Sequence, residues 1–220
     1  KLVRENFLSY MNCLYSPKNM ALVYVGKLPG DIEKVAEEFF LDLPPNSLLQ
    51  FKPFKKVKQT KAKVNIFYKK TDQANIVLGV EGYDRDDERK YASRVLGTVL
   101  GAGMSSRLFA EIREKRNLAY AIKGFYDSEG KYAYSGVYVG TTPENVSKVK
   151  ELIIEEFGKV SKELTDKELN SVKDQIIGNY FISQEDSFSV MYDLIKSEIK
   201  GDAKDVDKFI EKIKDVKLED

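Results

Sequence analysis

Two side chains in the middle of the chain, Arg113 and Tyr120, are of types that can act on a peptide without a histidine base. Arg113 falls near the end of a predicted helix and Tyr120 at the start of the strand after it, so a short turn brings both to one end of a sheet. A guanidinium fork and a phenol can donate to a peptide carbonyl or to a developing oxyanion, tasks that require hydrogen-bond donors only. By spacing alone, the commoner state of such residues is a salt-bridged helix arginine and a packed tyrosine.

The rest of the chemical inventory is narrow. The chain has no histidine, which excludes the zinc sites, triads and neutral-pH bases built on imidazole. Cys13 is the single cysteine and cannot form an internal disulfide; it reads as a buried free thiol with nothing nearby to activate it. Gly101-Ala102-Gly103-Met104-Ser105-Ser106 looks like a phosphate cradle, but it joins helix to helix and lacks the P-loop lysine, so a helix stop followed by a cap is expected. Asp84-Arg85-Asp86-Asp87-Glu88 mixes both signs and reads as favourable charge at a helix start rather than a cation site. No metal or cofactor is expected to bind this chain.

Composition sets the class. The 220 residues, 42% hydrophobic and 32% charged, suit a soluble globular chain with a substantial core. Thirty-six basic against thirty-five acidic residues give a formal net charge of +1, and so no bulk field to attract nucleic acid or an anionic membrane. No apolar run approaches the roughly 20 residues of a membrane span. The start shows no signal-peptide pattern, so a cytoplasmic location is the expectation; the chain begins at Lys1 rather than methionine, and an upstream segment is expected.

The elements that must position Arg113 and Tyr120 follow from periodicity. Residues 1–14 carry apolar positions at helical spacing, ending at Tyr15-Ser16-Pro17. Ala21–Val25 reads as a buried strand and Asp31 as the cap of a helix through Phe40. Leu43-Pro44-Pro45 stops that helix, and a basic linker runs to about Thr60. Val64–Tyr68 and Ala74–Val80 are strand-like. A helix opening at Asp86 or Asp87 buries Tyr91, Val95, Leu96, Val99 and Leu100. Ser105 or Ser106 caps the next helix, with Leu108, Phe109 and Ile112 inward and Arg107, Glu111, Arg113 and Glu114 outward. Tyr120–Tyr126 and Tyr132–Val139 flank a hairpin turn. Thr141 with Glu144, and Thr165 with Glu168, have capping-box spacing ahead of two helices, the first to about Val160. The second runs towards Ile199 with a break near Gln184–Asp186, Gly201 ends it, and a last helix spans about Lys204–Ile213. The sum is an α+β fold, an antiparallel or mixed sheet covered by helices.

Against these elements, the run from Leu96 through Gly101-Ala102-Gly103-Met104-Ser105-Ser106-Arg107-Leu108-Phe109 to Arg113-Glu114-Lys115-Arg116-Asn117-Leu118-Ala119-Tyr120 closely resembles the insulinase and mitochondrial-processing-peptidase family. The likeness extends to Thr71-Asp72-Gln73-Ala74 and Val139-Gly140-Thr141-Thr142-Pro143-Glu144-Asn145. It implies a metallopeptidase half-domain of the processing-peptidase type. Family members pair two α+β halves around an extended peptide, with zinc held in the first half by an inverted H-x-x-E-H motif that has no counterpart here. The second half contributes an arginine and a tyrosine that hold the substrate, and the resemblance carries those roles onto Arg113 and Tyr120. Asn117 stands where the family commonly has glycine.

The resemblance divides the chain into residues 1–45, the last helix, strand and helix of the preceding half; 46–60, a linker; and 61–220, a second half lacking its final strand and helix. Residues 19–43 are expected to fill that vacant place in the sheet. The implied function is the substrate-binding, carboxy-terminal half of a zinc-dependent metalloendopeptidase, inactive alone, with zinc in the missing half or a partner subunit. The alternative is a non-catalytic peptide-binding or scaffold subunit of the same family. The implied partners are an extended peptide and the zinc-bearing half or subunit, in a homo- or heterodimer, with no nucleic acid and no membrane span.

Overall fold

The computed structural model describes residues 2–43, 55 and 59–220. The elements in chain order are α1 (Arg4–Leu14), α2 (Ile32–Phe40), β1 (Ala74–Glu81), α3 (Lys90–Gly101), a π-helical segment (Phe109–Glu114), β2 (Ala121–Glu129), β3 (Tyr132–Thr141), α4 (Val146–Glu163), α5 (Asp166–Ser183), α6 (Ser187–Lys200) and α7 (Phe209–Asp215). The class is α+β, as expected. The chain divides into two compact units, Lys1–Pro53 with Asn179–Phe209, and Phe54–Gly178 with Ile210–Asp220.

The second unit holds the sheet. Its order is β1-β3-β2, all antiparallel. The β2–β3 hairpin is the one anticipated from Tyr120–Tyr126 and Tyr132–Val139, tighter than its flanks suggested: Glu129 pairs with Tyr132, and Gly130 supplies the positive φ of 59° that a two-residue turn demands. One sheet face carries Val137 and Val139, both fully buried, with Ala133. Val95, Val99 and Leu100 of α3 and Val149, Leu152 and Ile153 of α4 supply further core. These alternating and three-to-four-residue spacings bury one stripe of each element.

Glycines set how closely α3 lies on β2. A Cβ on Gly124 would stand 2.0 Å from the Gly97 carbonyl oxygen, and one on Gly101 would stand 2.4 Å from the Gly124 nitrogen. Backbone meets backbone there, which only glycine permits.

The first unit is helical. Tyr180 packs its ring 4.9 Å from that of Phe209, and Phe188 stacks on Tyr192 along α6. The expected break between α5 and α6 is present: Asp186 caps α6 by accepting from the Ser189 N–H at 2.9 Å. Gly201, at φ 128°, ends that helix by donating to the carbonyls of Ser197 and Glu198. Among the described residues, no helix is long and apolar enough to cross a membrane.

Several expectations are corrected. Ala21–Val25 and Val64–Tyr68 are not strands, and the sheet of the second unit has three strands among the described residues. β-Branched and aromatic composition favours a strand only where a neighbour pairs with it; Phe67 is 93% exposed, and Val64, Ile66 and Tyr68 are exposed beside it. Helix α3 begins at Lys90 rather than Asp86, because Asp87 turns back to accept from the N–H and side chain of Arg89. Cys13 is half-exposed, on a helix with no fully buried residue. Arg107 turns inward to Glu168. The Pro44–Ser47 stop and most of the 46–60 linker lie outside the described residues.

Candidate functional site

The site is built on the segment that leaves α3 and returns as β2. Leu108 and Ile112 are fully buried and Ala119 nearly so, which anchors both ends of the segment in the core. Between them the backbone is π-helical from Phe109 to Glu114, and the Lys115 N–H donates to the Ala110 carbonyl at 3.0 Å. Inserted π turns re-aim side chains relative to an α-helical register. Arg113 lies in this π-helical turn and is exposed.

The turn from Arg113 to Tyr120 is tied down along its length. The Asn117 N–H donates to the Arg113 carbonyl at 3.0 Å and the Leu118 N–H to the Ile112 carbonyl at 2.9 Å. Thr141 Oγ1 donates to the Leu118 carbonyl at 2.6 Å, and the Tyr120 N–H to the Gly140 carbonyl at 2.8 Å. Asn117 adopts φ 52°, the left-handed conformation in which asparagine is a frequent substitute for glycine.

On this pinned turn both predicted side chains are exposed, and among the described residues neither makes a side-chain hydrogen bond or an ion pair. The Arg113 guanidinium lies 5.2 Å from the centre of the Phe109 ring and has no carboxylate partner among the described residues. Tyr120 is 61% exposed. Its hydroxyl makes no hydrogen bond among the described residues, whereas those of Tyr126, Tyr134 and Tyr138 donate to Tyr83, Asp127 and Asn75.

The neighbouring charges explain why Arg113 stays free. Glu111 takes both nearby cations: Lys115 bonds its Oε1, and Arg116 bonds its Oε2 at 2.5 Å and its backbone carbonyl at 2.7 Å. Lys115, then Arg116, hold the Glu111 carboxyl below the usual carboxylate range. One carboxylate thus engages two cations, and Arg113 has no carboxylate partner among the described residues. The ordinary alternative for Arg113 and Tyr120, a salt bridge and a packed ring, is not what the structure contains.

Other candidate groups are engaged. Asp87 grips Arg89 at 2.7 Å, Glu88 accepts from Lys212 at 2.7 Å, and Asp86 accepts from Lys131. The Gly101–Gly103 loop is closed by α5, where Gln175 Nε2 donates to the Ala102 carbonyl at 3.0 Å; a Cβ on Gly103 would stand 2.8 Å from that nitrogen. Ser106 Oγ donates to the Gly103 carbonyl at 2.8 Å rather than capping a helix.

Sequence reasoning missed two participants. Thr141 has capping-box spacing, yet Thr142 occupies the N-cap position and accepts from Asn145 Nδ2 at 2.9 Å, leaving the Thr141 hydroxyl for Leu118. Glu168 is spaced as the partner of Thr165 in the second box. Thr165 does cap, accepting from the Glu168 N–H at 3.2 Å, but the Glu168 carboxylate is bound in bidentate fashion by Arg107 at 2.7 Å for each contact. Neither use leaves a signal in local spacing.

Comparison with known proteins gives the family. Residues 1–176 match the family described as peptidase M16 inactive domain. An uncharacterized zinc protease of Streptomyces coelicolor is 38% identical over 160 residues, 72% of this chain and 35% of its own length. An uncharacterized zinc protease of Bacillus subtilis is 30% identical over 98% of this chain and 52% of its own length. The chain therefore spans about half or less of the length of these relatives. Among solved structures, the peptidase M16 inactive domain from Pseudomonas fluorescens superposes with a TM-score of 0.84 at 21% identity, covering 99% of this chain and 53% of that one. A protease from Helicobacter pylori gives 0.83 at 18% identity, over 100% and 55%.

The Streptomyces coelicolor and Bacillus subtilis relatives are named for zinc, and the donor set here does not fit that ion. There is no histidine, and no group of three Cys, Asp or Glu is placed to hold a metal among the described residues. With residues 1–176 matching that family model and relatives named as zinc proteases, the chain belongs to the peptidase M16 family and corresponds to that family's inactive domain.

Proposed function

We propose that this chain is the substrate-holding half of a zinc-dependent metalloendopeptidase. Arg113 and Tyr120 grip an extended peptide and donate to the carbonyl oxygen under attack, while zinc and the general base come from a separate half or a partner subunit. Residues 1–45 belong to the preceding half, 46–60 join the halves and 61–220 form the second half. Alone, the chain binds peptide without cleaving it.

The observation that carries this reading is that Arg113 and Tyr120 stand exposed with unused donors on a turn held by backbone hydrogen bonds at both ends. Exposed donors carried on a fixed backbone turn suit an acceptor that arrives with a ligand.

The test is fluorescence anisotropy with fluorescein-labelled β-casein, a chain without stable structure. Wild type binds it, and Arg113→Ala and Tyr120→Phe each weaken binding by about fivefold or more, as loss of one or two donors predicts. Equal binding by wild type and both variants refutes the assignment.

A second reading, a non-catalytic subunit, draws on the similarity to a chain of complex III from Candida albicans, with a TM-score of 0.81 over 100% of this chain. Zinc-dependent cleavage in the presence of the metal-bearing half separates the two.

A further inference from the structure

We propose that Thr141 is a positioning residue for Tyr120: its buried hydroxyl fixes the turn that aims the phenol at the peptide. The inference rests on the peptide-holding reading and names a residue through which that site is set.

Thr141 is the last residue of β3 and is fully buried. Its inward-facing neighbours on the strand are Val137 and Val139, also fully buried. Valine would match the shape of threonine at this position, and a hydroxyl buried there is unfavourable unless bonded. Its bond is directed out of the strand, to the Leu118 carbonyl at 2.6 Å, short for a neutral O–H···O contact. Thr142 serves the following helix start, so the hydroxyl of Thr141 is not needed as a cap.

The consequence falls on Tyr120. The Leu118–Ala119 peptide is held through its carbonyl by Thr141, and the Ala119–Tyr120 peptide through its N–H by Gly140. Ala121 then enters the ladder opposite Gly140. The peptide planes leading into Tyr120, and the strand leaving it, are therefore fixed to the end of β3, and the phenol keeps only its own side-chain rotations. Removing the hydroxyl orphans the Leu118 carbonyl and frees the first of these planes, while the strand pairing below it is unchanged.

The test compares Thr141→Val, which keeps shape and loses the donor, with Thr141→Ser, which keeps the donor. Labelled β-casein is the probe, and circular dichroism checks folding. Thr141→Val is expected to weaken binding by about three- to tenfold, and Thr141→Ser to restore it to within about twofold. In a Tyr120→Phe background, Thr141→Val adds no further loss, because its effect passes through that side chain. Amide exchange at Leu118, Ala119 and Tyr120 rises in Thr141→Val and returns in Thr141→Ser, while that at Ile153 is unchanged. Should Thr141→Val not fold, Thr141→Ala is read by the same criteria.

Wild-type-like binding by Thr141→Val overturns the proposal and leaves the peptide-holding reading intact. An undiminished loss in the Tyr120→Phe background, or failure of Thr141→Ser to restore binding, also overturns it. Absence of binding by wild type itself removes the peptide-holding reading and this inference with it.

Discussion

Replacing Gly124 by alanine tests the packing that carries the site. The added methyl would stand 2.0 Å from the Gly97 carbonyl oxygen, 3.0 Å from the Gly101 nitrogen and 3.1 Å from its Cα. All three atoms are backbone of α3, so no side chain can swing aside, and the helix must retreat from β2 by about an ångström to restore a normal contact. That movement loosens Val95, Val99 and Leu100, which are almost wholly buried. Overpacking of this kind costs about 1–3 kcal/mol, and a rigid neighbour points to the upper end. The lost entropy of the unfolded chain returns only about 0.4–1 kcal/mol. The net expectation is a loss of about 2 kcal/mol, or some 4–8 °C in the melting temperature of a chain this size. Urea and thermal unfolding measure it, with Gly158→Ala as control. Gly158 lies in α4, where an added methyl would meet nothing within 4 Å, so alanine there should stabilise by about 0.5–1 kcal/mol. If Gly124→Ala unfolds within about 0.5 kcal/mol of wild type, the close approach of α3 to β2 is refuted.

Further predictions concern the turn and its charges. Arg107→Ala, which strands the partly buried Glu168 carboxylate, should cost about 1–2 kcal/mol in urea unfolding, and Arg107→Lys should recover little because an ammonium cannot reproduce the bidentate pair. Asn117→Ala should cost about 1 kcal/mol from its left-handed backbone while Asn117→Gly stays within about 0.5 kcal/mol of wild type, by the same assay. The Glu111 carboxyl titrates below its ordinary value of 4.5, so its ion pairs stabilise the fold above that pH and are lost as pH falls through the depressed value. Unfolding midpoints measured down the acid limb should therefore drop less steeply in Glu111→Gln than in wild type.

What the sequence made legible was whatever depends on neighbours along the chain. The stripe of Val95, Val99 and Leu100, the stop at Gly201 and the break at Gln184–Asp186 are local patterns with local causes. The expectation that Arg113 acts with Tyr120 came from a long family resemblance, since their spacing alone fits an ordinary salt bridge and a packed ring. Three of the misreadings share one physical origin, a partner or competitor distant in sequence or missing. Val64–Tyr68 has strand composition and no strand paired with it among the described residues. Thr141 has cap spacing, but a carbonyl presented by the preceding turn claims its hydroxyl. The Glu168 carboxylate is drawn away by Arg107. The π-helical register before Arg113 was also invisible, because an inserted residue in a helix leaves the residue types unchanged.

The measurement that bears most directly on the central claim is β-casein cleavage by this chain combined with its zinc-bearing half, with wild-type Arg113 beside Arg113→Ala. The account predicts cleavage that a chelator abolishes and that Arg113→Ala lowers by about a hundredfold in kcat/KM, the scale of losing one transition-state donor. Cleavage by Arg113→Ala at the wild-type rate would contradict it.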